Sequence, residues 1–301
     1  MKKILSISIG SSTRNKTVEA EILGEKFIIE RIGTDGDLNK AIELIKKYDG
    51  KVDAFGMGGI DLYLYAGQKR YIIKDAIPMK NAAKITPIVD GSGLKNTLER
   101  KVVKYIQNEG IVNIKGKKVL IVSALDRFGM TQAFNEEGAE LTLGDIIFAL
   151  GLPIPIHSLN LLYKIAAVLA PVIVKLPFEM LYPTGDKQLT INSKKYERFY
   201  KDADIIAGDY LFIKKYMPEN MEGKIILTNT VTQEDVDMMK KRGVKLLITT
   251  TPDLNGRSFG TNVMEGVLIS IAGKKQDQMN PEDYDKLLDE IGFKPRIEYI
   301  N

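Results

Sequence analysis

Residues 117–145, KKVLIVSALDRFGMTQAFNEEGAELTLGD, decide the predicted fold of the second half of the chain. The apolar, largely β-branched run 119–122 predicts a buried parallel strand, and a helical segment begins near Arg127. A second strand-like run, 139–143, leads into Gly144 and Asp145. This order is typical of the first βαβ unit of a dinucleotide-binding sheet, which consists of a strand, a turn, a helix and a second strand that ends in an acidic residue.

The turn of this unit departs from the glycine-rich pattern G-x-G-x-x-G. Residues 124–129 read ALDRFG, so only the third glycine is present. Asp126 places a carboxylate where a pyrophosphate would lie, whereas Asp145 suits a ribose 2′-hydroxyl and favours NAD over NADP. The predicted cofactor-binding residues are Ala124, Asp126, Arg127, Gly129 and Asp145.

Length and patterning predict an α/β protein with two α/β regions. The chain has 301 residues, of which 44% are hydrophobic, and strand-like runs alternate with helical ones in both halves. The polar stretch 108–118 suggests a boundary, so we expect a substrate-binding-like region at 1–112. The region at 113–301 is expected to be a Rossmann-like, doubly wound parallel sheet, with a cleft between the two.

Composition excludes several classes of function. There is no cysteine, which excludes thiolate metal sites and cysteine nucleophiles, and no carboxylate spacing predicts a metal site. The net charge of +4 comes from 43 basic and 39 acidic residues without a basic cluster, so nucleic-acid binding is not expected. The amino terminus has no signal-like apolar region, which favours a cytoplasmic protein.

The most apolar segment is 158–183, and lysines and prolines interrupt it. Because no uncharged run reaches the length of a membrane span, membrane insertion is not expected. The segment suits a buried helix broken at Pro171. The alternative is an exposed apolar surface, which would serve a homodimer or a lipid-like substrate.

Polar side chains collect after predicted strands, where open α/β sheets bind ligands. Such groups, together with free amides at a helix start, suit a carboxylate or a phosphate. They predict a small anionic ligand as the binding partner. The predicted substrate-binding residues are Ser11, Ser12, Ser92, Lys95, Arg257, Ser258 and Asn262.

Two short stretches resemble motifs of the shikimate and quinate 5-dehydrogenase family. Residues 77–80 read IPMK and residues 90–94 read DGSGL, in the order in which that family places its substrate region before its Rossmann domain. The resemblance implies that Lys80 and Asp90 act as the catalytic pair during hydride transfer to NAD or NADP.

Two functions follow from these patterns. The first is an NAD(P)-linked oxidoreductase that acts on a small, shikimate-like or quinate-like hydroxy acid. The alternative is a Rossmann-like protein that does not bind NAD(P) and holds another anionic ligand, for non-redox chemistry or as a binding protein. Asp126 separates the two, since its charge opposes a dinucleotide phosphate.

Overall fold

The computed structural model describes residues 1–66, 69–176, 195–251 and 260–301. In this part of the chain, strands form two large sheets and a short hairpin, with helices packed on the large sheets. The strands are β1 (Lys2–Ser8), β2 (Lys16–Ile22), β3 (Glu25–Gly33), β4 (Ala54–Gly58), β5 (Tyr63–Ala66), β6 (Lys69–Ile72), β7 (Ile88–Val89), β8 (Lys118–Ile121), β9 (Glu140–Leu143), β10 (Ile205–Gly208), β11 (Ile225–Thr228), β12 (Leu246–Thr249) and β13 (Arg296–Tyr299). The α-helices are α1 (Leu38–Tyr48), α2 (Ile77–Ala82), α3 (Ser92–Asn108), α4 (Phe128–Glu136), α5 (Leu159–Ile173), α6 (Glu197–Asp202), α7 (Tyr210–Tyr216), α8 (Gln233–Lys241), α9 (Thr261–Ala272) and α10 (Pro281–Glu290).

The first sheet has the order β2-β3-β1-β4-β7. Strands β3, β1, β4 and β7 run parallel, and β2 forms an antiparallel hairpin with β3. Successive residues of β1 face opposite sides, as the strand period of two requires. Ile4 belongs to the core cluster under α3, α9 and α10, whereas Leu5 belongs to the cluster under α1 and α2.

Helices α9 and α10 come from the carboxyl-terminal part of the chain and cover the first sheet. Val267 and Leu268 of α9 and Leu288 of α10 are fully buried in the cluster that contains Ile4 and Val89. The domain boundary near residue 112 stays a prediction. The structure adds that the chain crosses back to the first sheet after β12.

The second sheet has the order β13-β12-β11-β10-β8-β9. Its first five strands in the chain, β8 to β12, run parallel, and β13 is antiparallel at the edge. The strand order reverses at β8, with β9 on one side and β10 on the other, which is the arrangement of a doubly wound sheet. The predicted fold class, two α/β regions of which the second is doubly wound, is confirmed.

The two regions contact each other through α3 and α4. Gly129 lies at this crossing, and a Cβ there would clash with the main-chain carbonyl of Asn96. The third glycine of the turn thus permits close helix packing. The carboxyl ends of β1, β4 and β7 and those of β8, β10 and β11 lead to residues on opposite walls of one cleft.

Helix α5 differs from the predicted broken helix, because it continues through Pro171 and ends at Ile173. One side of it packs inward through Leu162, while Leu161 and Val168 are 50% and 74% exposed. The part of the apolar segment at 177–183 lies outside the described residues. Among the helices of the described ranges, none has the length and apolar character needed to cross a membrane.

Candidate functional site

A cavity of about 730 Å³ occupies the cleft between the two regions. Its polar wall is formed by residues that follow strands of both sheets. Its apolar wall comes from the inward side of α5, including Leu162 and Ile165, and from Phe128 and Phe212. A concave site with one apolar wall and converging polar groups is typical of small-molecule binding.

The turn after β8 is occupied by the side chain of Asp145. Its carboxylate accepts hydrogen bonds from the amides of Ala124 (3.1 Å) and Leu125 (3.0 Å). Burial raises the pKa of Asp145 to about 6, and the two amides act in the opposite direction. In this arrangement Asp145 uses two of the turn amides that would otherwise be available to a dinucleotide phosphate.

Lys95, predicted as a substrate ligand, lies between two carboxylates on the cavity wall. Its Nζ is 2.7 Å from Oδ1 of Asp126 and 3.4 Å from Oδ1 of Asp61. Burial favours the neutral amine, but Asp126 and Asp61 outweigh it and raise the pKa of Lys95. At neutral pH the lysine is therefore an ammonium group that is already paired.

Arg127 is the centre of a second ion-pair network. Its guanidinium contacts the buried Glu99, Oδ2 of Asp126 at 3.0 Å and Oδ2 of Asp209 at 3.0 Å. Asn229 donates to the same Asp209 oxygen at 2.7 Å. Since Glu99 belongs to α3 and Arg127 to the turn before α4, this network joins the two regions.

Two arginines lie at the other end of the cavity, Arg14 in the loop after β1 and Arg31 in β3. Arg31 donates to Ser8 Oγ (3.1 Å) and to the carbonyl of Ser11 (3.0 Å). Arg14 reaches across the cleft and donates to Thr230 Oγ1 at 3.3 Å. Ser11 lines the cavity, whereas the amide of Ser12 bonds to Asp35 and Ser12 is absent from the lining.

Lys80 and Asp90 occupy different environments. Lys80 is exposed on α2 and does not line the cavity, whereas Asp90 is buried and does. The Asp90 carboxylate accepts hydrogen bonds from the amide of Leu62 (2.8 Å) and from the amide (3.0 Å) and hydroxyl (2.6 Å) of Ser92. Asp90 thus anchors the start of α3, and the cavity does not bring the two proposed catalytic groups together.

Asn262 is the described member of the predicted loop before α9, since Arg257 and Ser258 lie outside the described residues. It lines the cavity and donates to Ser6 Oγ at 3.1 Å. Sequence reasoning missed Asp209 and Asn229, which also line the cavity. Asp209 and Asn229 directly follow β10 and β11, so the strand-end rule that selected Ser11 would have found them.

A buried carboxyl pair lies behind the cavity. Glu265 accepts hydrogen bonds from Tyr284 Oη (2.6 Å) and Gln276 Nε2 (3.0 Å), and the same amide is 3.3 Å from Asp90. Burial, followed by the charge of Asp90, raises the pKa of Glu265 to about 8. Sequence patterns carry no signal for Glu265, because it lies within an apolar helix.

Several solved structures are similar to this chain at low identity. The arabinose-binding protein AraP of Geobacillus stearothermophilus shares 9% identity over 99% of this chain and 97% of its own, with a TM-score of 0.42. The glucose-galactose-binding protein GanP of the same organism has 9% identity, the same coverages and a TM-score of 0.41. L-tryptophan dehydrogenase from Nostoc punctiforme has 12% identity over 97% and 79% of the chains, with a TM-score of 0.37. We base no functional argument on similarity at these TM-scores.

No curated protein matches the chain. Family models match residues 3–90, described as Domain of unknown function (DUF8753), and residues 93–300, described as Domain of unknown function (DUF8754). Neither model is that of the shikimate and quinate dehydrogenase family. The resemblance to shikimate and quinate dehydrogenases was therefore wrong, and the oxidoreductase assignment is withdrawn with it. Because the second match covers more than half of the chain, the protein belongs to the family of Domain of unknown function (DUF8754).

Proposed function

We propose that the cleft binds a small organic ligand whose anionic group contacts Arg14. The supporting observation is the difference between Arg14 and two other cations of the cavity, Lys95 and Arg127. Lys95 and Arg127 are each held by two or more carboxylates. Within the described part of the chain, the Arg14 guanidinium forms one hydrogen bond, to Thr230, and no ion pair.

The position of Arg14 also suits a ligand that bridges the two regions. Arg14 belongs to the loop after β1, and Thr230 follows β11 on the opposite wall. A carboxylate or phosphate between them would gain a charge-assisted hydrogen bond from the guanidinium, which is stronger than the bond to a neutral hydroxyl. Ser8 and Ser11 line the same end of the cavity and add further hydrogen-bonding groups.

The remaining walls define the rest of the ligand. Asp209 and Asn229 accept and donate hydrogen bonds respectively, and both line the cavity. The side of α5 that faces the cavity is apolar. The ligand is accordingly a small acid or phosphate ester that carries hydroxyl or carbonyl oxygens and some carbon surface.

Thermal unfolding and calorimetric titration with a defined panel test this proposal. The anionic members are pyruvate, 2-oxoglutarate, dihydroxyacetone phosphate and ribose 5-phosphate, and the neutral members are arabinose and glucose. A ligand at a hundred times its Kd should stabilise the folded protein by about 2.7 kcal/mol. We expect at least one anionic member, and neither neutral sugar, to bind.

Two matched variants connect binding to the arginine. Arg14→Gln removes the cleft cation and should weaken binding of the anionic ligand at least roughly tenfold, which corresponds to about 1.4 kcal/mol. Arg198→Gln removes an exposed arginine that does not line this cavity and should leave binding unchanged. Equal affinity in Arg14→Gln and the parent protein, or binding of the neutral sugars alone, would contradict the proposal.

A further inference from the structure

Lys95, Asp61 and Asp126 form a group on the cavity wall that binding of an anion does not explain. Asp61 follows β4, Lys95 lies in the first turn of α3, and Asp126 lies in the turn after β8. The side chains are 20% exposed for Asp61, 11% for Lys95 and 30% for Asp126. The fold thus assembles two carboxyl groups and one ammonium group at a place that a ligand in the cleft can reach.

The two carboxyl groups differ in the pKa values that their surroundings give them. Burial raises the pKa of Asp61 to about 7; Asp126 and Asp90 act in the same direction, and Lys95 and Arg127 oppose it. Burial also acts against ionisation of Asp126, but Lys95 and Arg127 hold its pKa well below the usual range. Two neighbouring carboxyl groups with separated pKa values are a recurring arrangement for acid–base chemistry.

A second observation marks the same wall as a contact for a ligand. Ser123 lines the cavity within the same turn as Asp126, and its Oγ is buried and has no hydrogen-bond partner in the described ranges. A buried hydroxyl without a partner costs stability unless another group satisfies it. A purely structural role also accounts poorly for the Lys–Asp–Asp group. Apolar residues of similar volume often stabilise a protein as much as a buried group of charged residues does, or more.

We propose that Asp61 is a general acid–base residue that exchanges a proton with a carbonyl compound bound in the cleft. The inference rests on the proposed function, which supplies the bound ligand. The Asp61 carboxylate takes a proton from a carbon next to the carbonyl, and the C–H electron pair forms a C=C bond. The carbonyl oxygen receives the displaced electron pair and becomes an enolate oxygen.

Return of the proton completes the step without net oxidation or reduction. Asp61 delivers it to the original carbon or to the neighbouring one, so the products are the starting compound or its isomer. Lys95 and Asp126 are positioning residues in this scheme, because they set the charge state and orientation of Asp61. The substrate class is a small anionic ketone or aldehyde with a hydrogen on the adjacent carbon.

Solvent exchange measures the proton transfer directly. The protein is incubated in D₂O with pyruvate, 2-oxoglutarate, dihydroxyacetone phosphate or ribose 5-phosphate, and loss of the C–H signal is followed by proton NMR. We expect exchange above the buffer rate for at least one compound. Asp61→Asn should reduce it about 100-fold or more, the scale of general acid–base catalysis. Asp285→Asn, at an exposed aspartate on α10, should leave it unchanged.

The pH profile separates positioning from a structural role. Exchange should increase with pH as Asp61 ionises. Lys95→Met removes a charge that lowers the Asp61 pKa and should move the midpoint to higher pH, whereas Asp126→Asn should move it to lower pH. A general structural defect would not move the two midpoints in opposite directions. Circular dichroism of each variant confirms folding before the comparison.

The outcomes distinguish this inference from the proposed function. If a compound binds but does not exchange, or if Asp61→Asn exchanges at the parent rate, the acid–base role is overturned while binding stands. Midpoints that move in the same direction overturn the positioning roles of Lys95 and Asp126. If no anionic compound binds, the proposed function fails, and this inference fails with it.

Discussion

Replacement of Arg127 by methionine should be among the most destabilising single changes in the described structure. Arg127 is 4% exposed and Glu99 is fully buried. Arg127→Met keeps an unbranched side chain but removes the guanidinium that contacts Glu99, Asp126 and Asp209. The Glu99 carboxylate would then be buried without its main counter-charge. Loss of one partner from a buried pair costs about 3–5 kcal/mol, and we expect a decrease of that size at pH 7.

The pH dependence of this loss follows from Glu99. Burial already raises the pKa of Glu99, and Arg127 lowers it, so removal of the arginine raises that pKa further. The variant can then relieve the unpaired charge by taking up a proton. The destabilisation should therefore be largest at neutral pH and should shrink as the pH falls toward 5.

Urea unfolding followed by circular dichroism measures this effect by linear extrapolation to water. The matched control is Arg100→Met on α3. Arg100 forms a partly exposed ion pair with Glu136, and a pair of this kind contributes about 0–1 kcal/mol to stability. The double variant Arg127→Met/Glu99→Met should recover most of the lost stability, because it removes both buried charges. The reasoning is refuted if Arg127→Met costs no more than Arg100→Met, or if the double variant loses the sum of both single losses.

Three further predictions concern the buried carboxyl groups and the β8 turn. The folded protein holds a proton on Glu265 up to about pH 8, whereas an unperturbed glutamate has a pKa of 4.5, so the free energy of unfolding should fall as pH rises through this window. Glu265→Gln should reduce that slope in urea unfolding, and an unchanged profile would contradict the raised pKa. Asp145→Ala leaves the amides of Ala124 and Leu125 without their acceptor. In the same urea assay it should lower the free energy of unfolding by at most about 1–3 kcal/mol for each unpaired amide. An unchanged free energy of unfolding would show that the turn does not need the carboxylate. NAD and NADP stay a prediction as ligands. Because Asp145 already accepts hydrogen bonds from the turn amides, we expect no binding heat when either cofactor is titrated to millimolar concentration in a calorimeter. Saturable binding would support the cofactor prediction instead.

Much of the local structure could be predicted from patterns of neighbouring residues. The strand predicted at 119–122 agrees with β8, and the strand predicted at 139–143 agrees with β9. The helix predicted to begin near Arg127 is α4. These elements follow from periodicity and turn chemistry, which depend on residues only a few positions apart.

The candidate site was predictable where a polar residue follows a parallel strand. Ser11, Asp126 and Asn262 all line the cavity, since parallel strands bring their carboxyl ends to one edge. Lys80 was selected by a short motif instead of by its place in the sheet. The structure puts it on the exposed side of α2.

The sequence by itself determined the alternation of strands and helices and the edge of each sheet where polar residues collect. Only the tertiary structure decided which charges meet: Arg127 pairs with Asp209, 82 positions away, and Lys95 pairs with Asp126, 31 positions away. It also decided that Asp145 turns toward the β8 loop and that α9 and α10 return to the first sheet. The physical reason is that these contacts join segments far apart in the chain, whose own periodicities carry no record of each other.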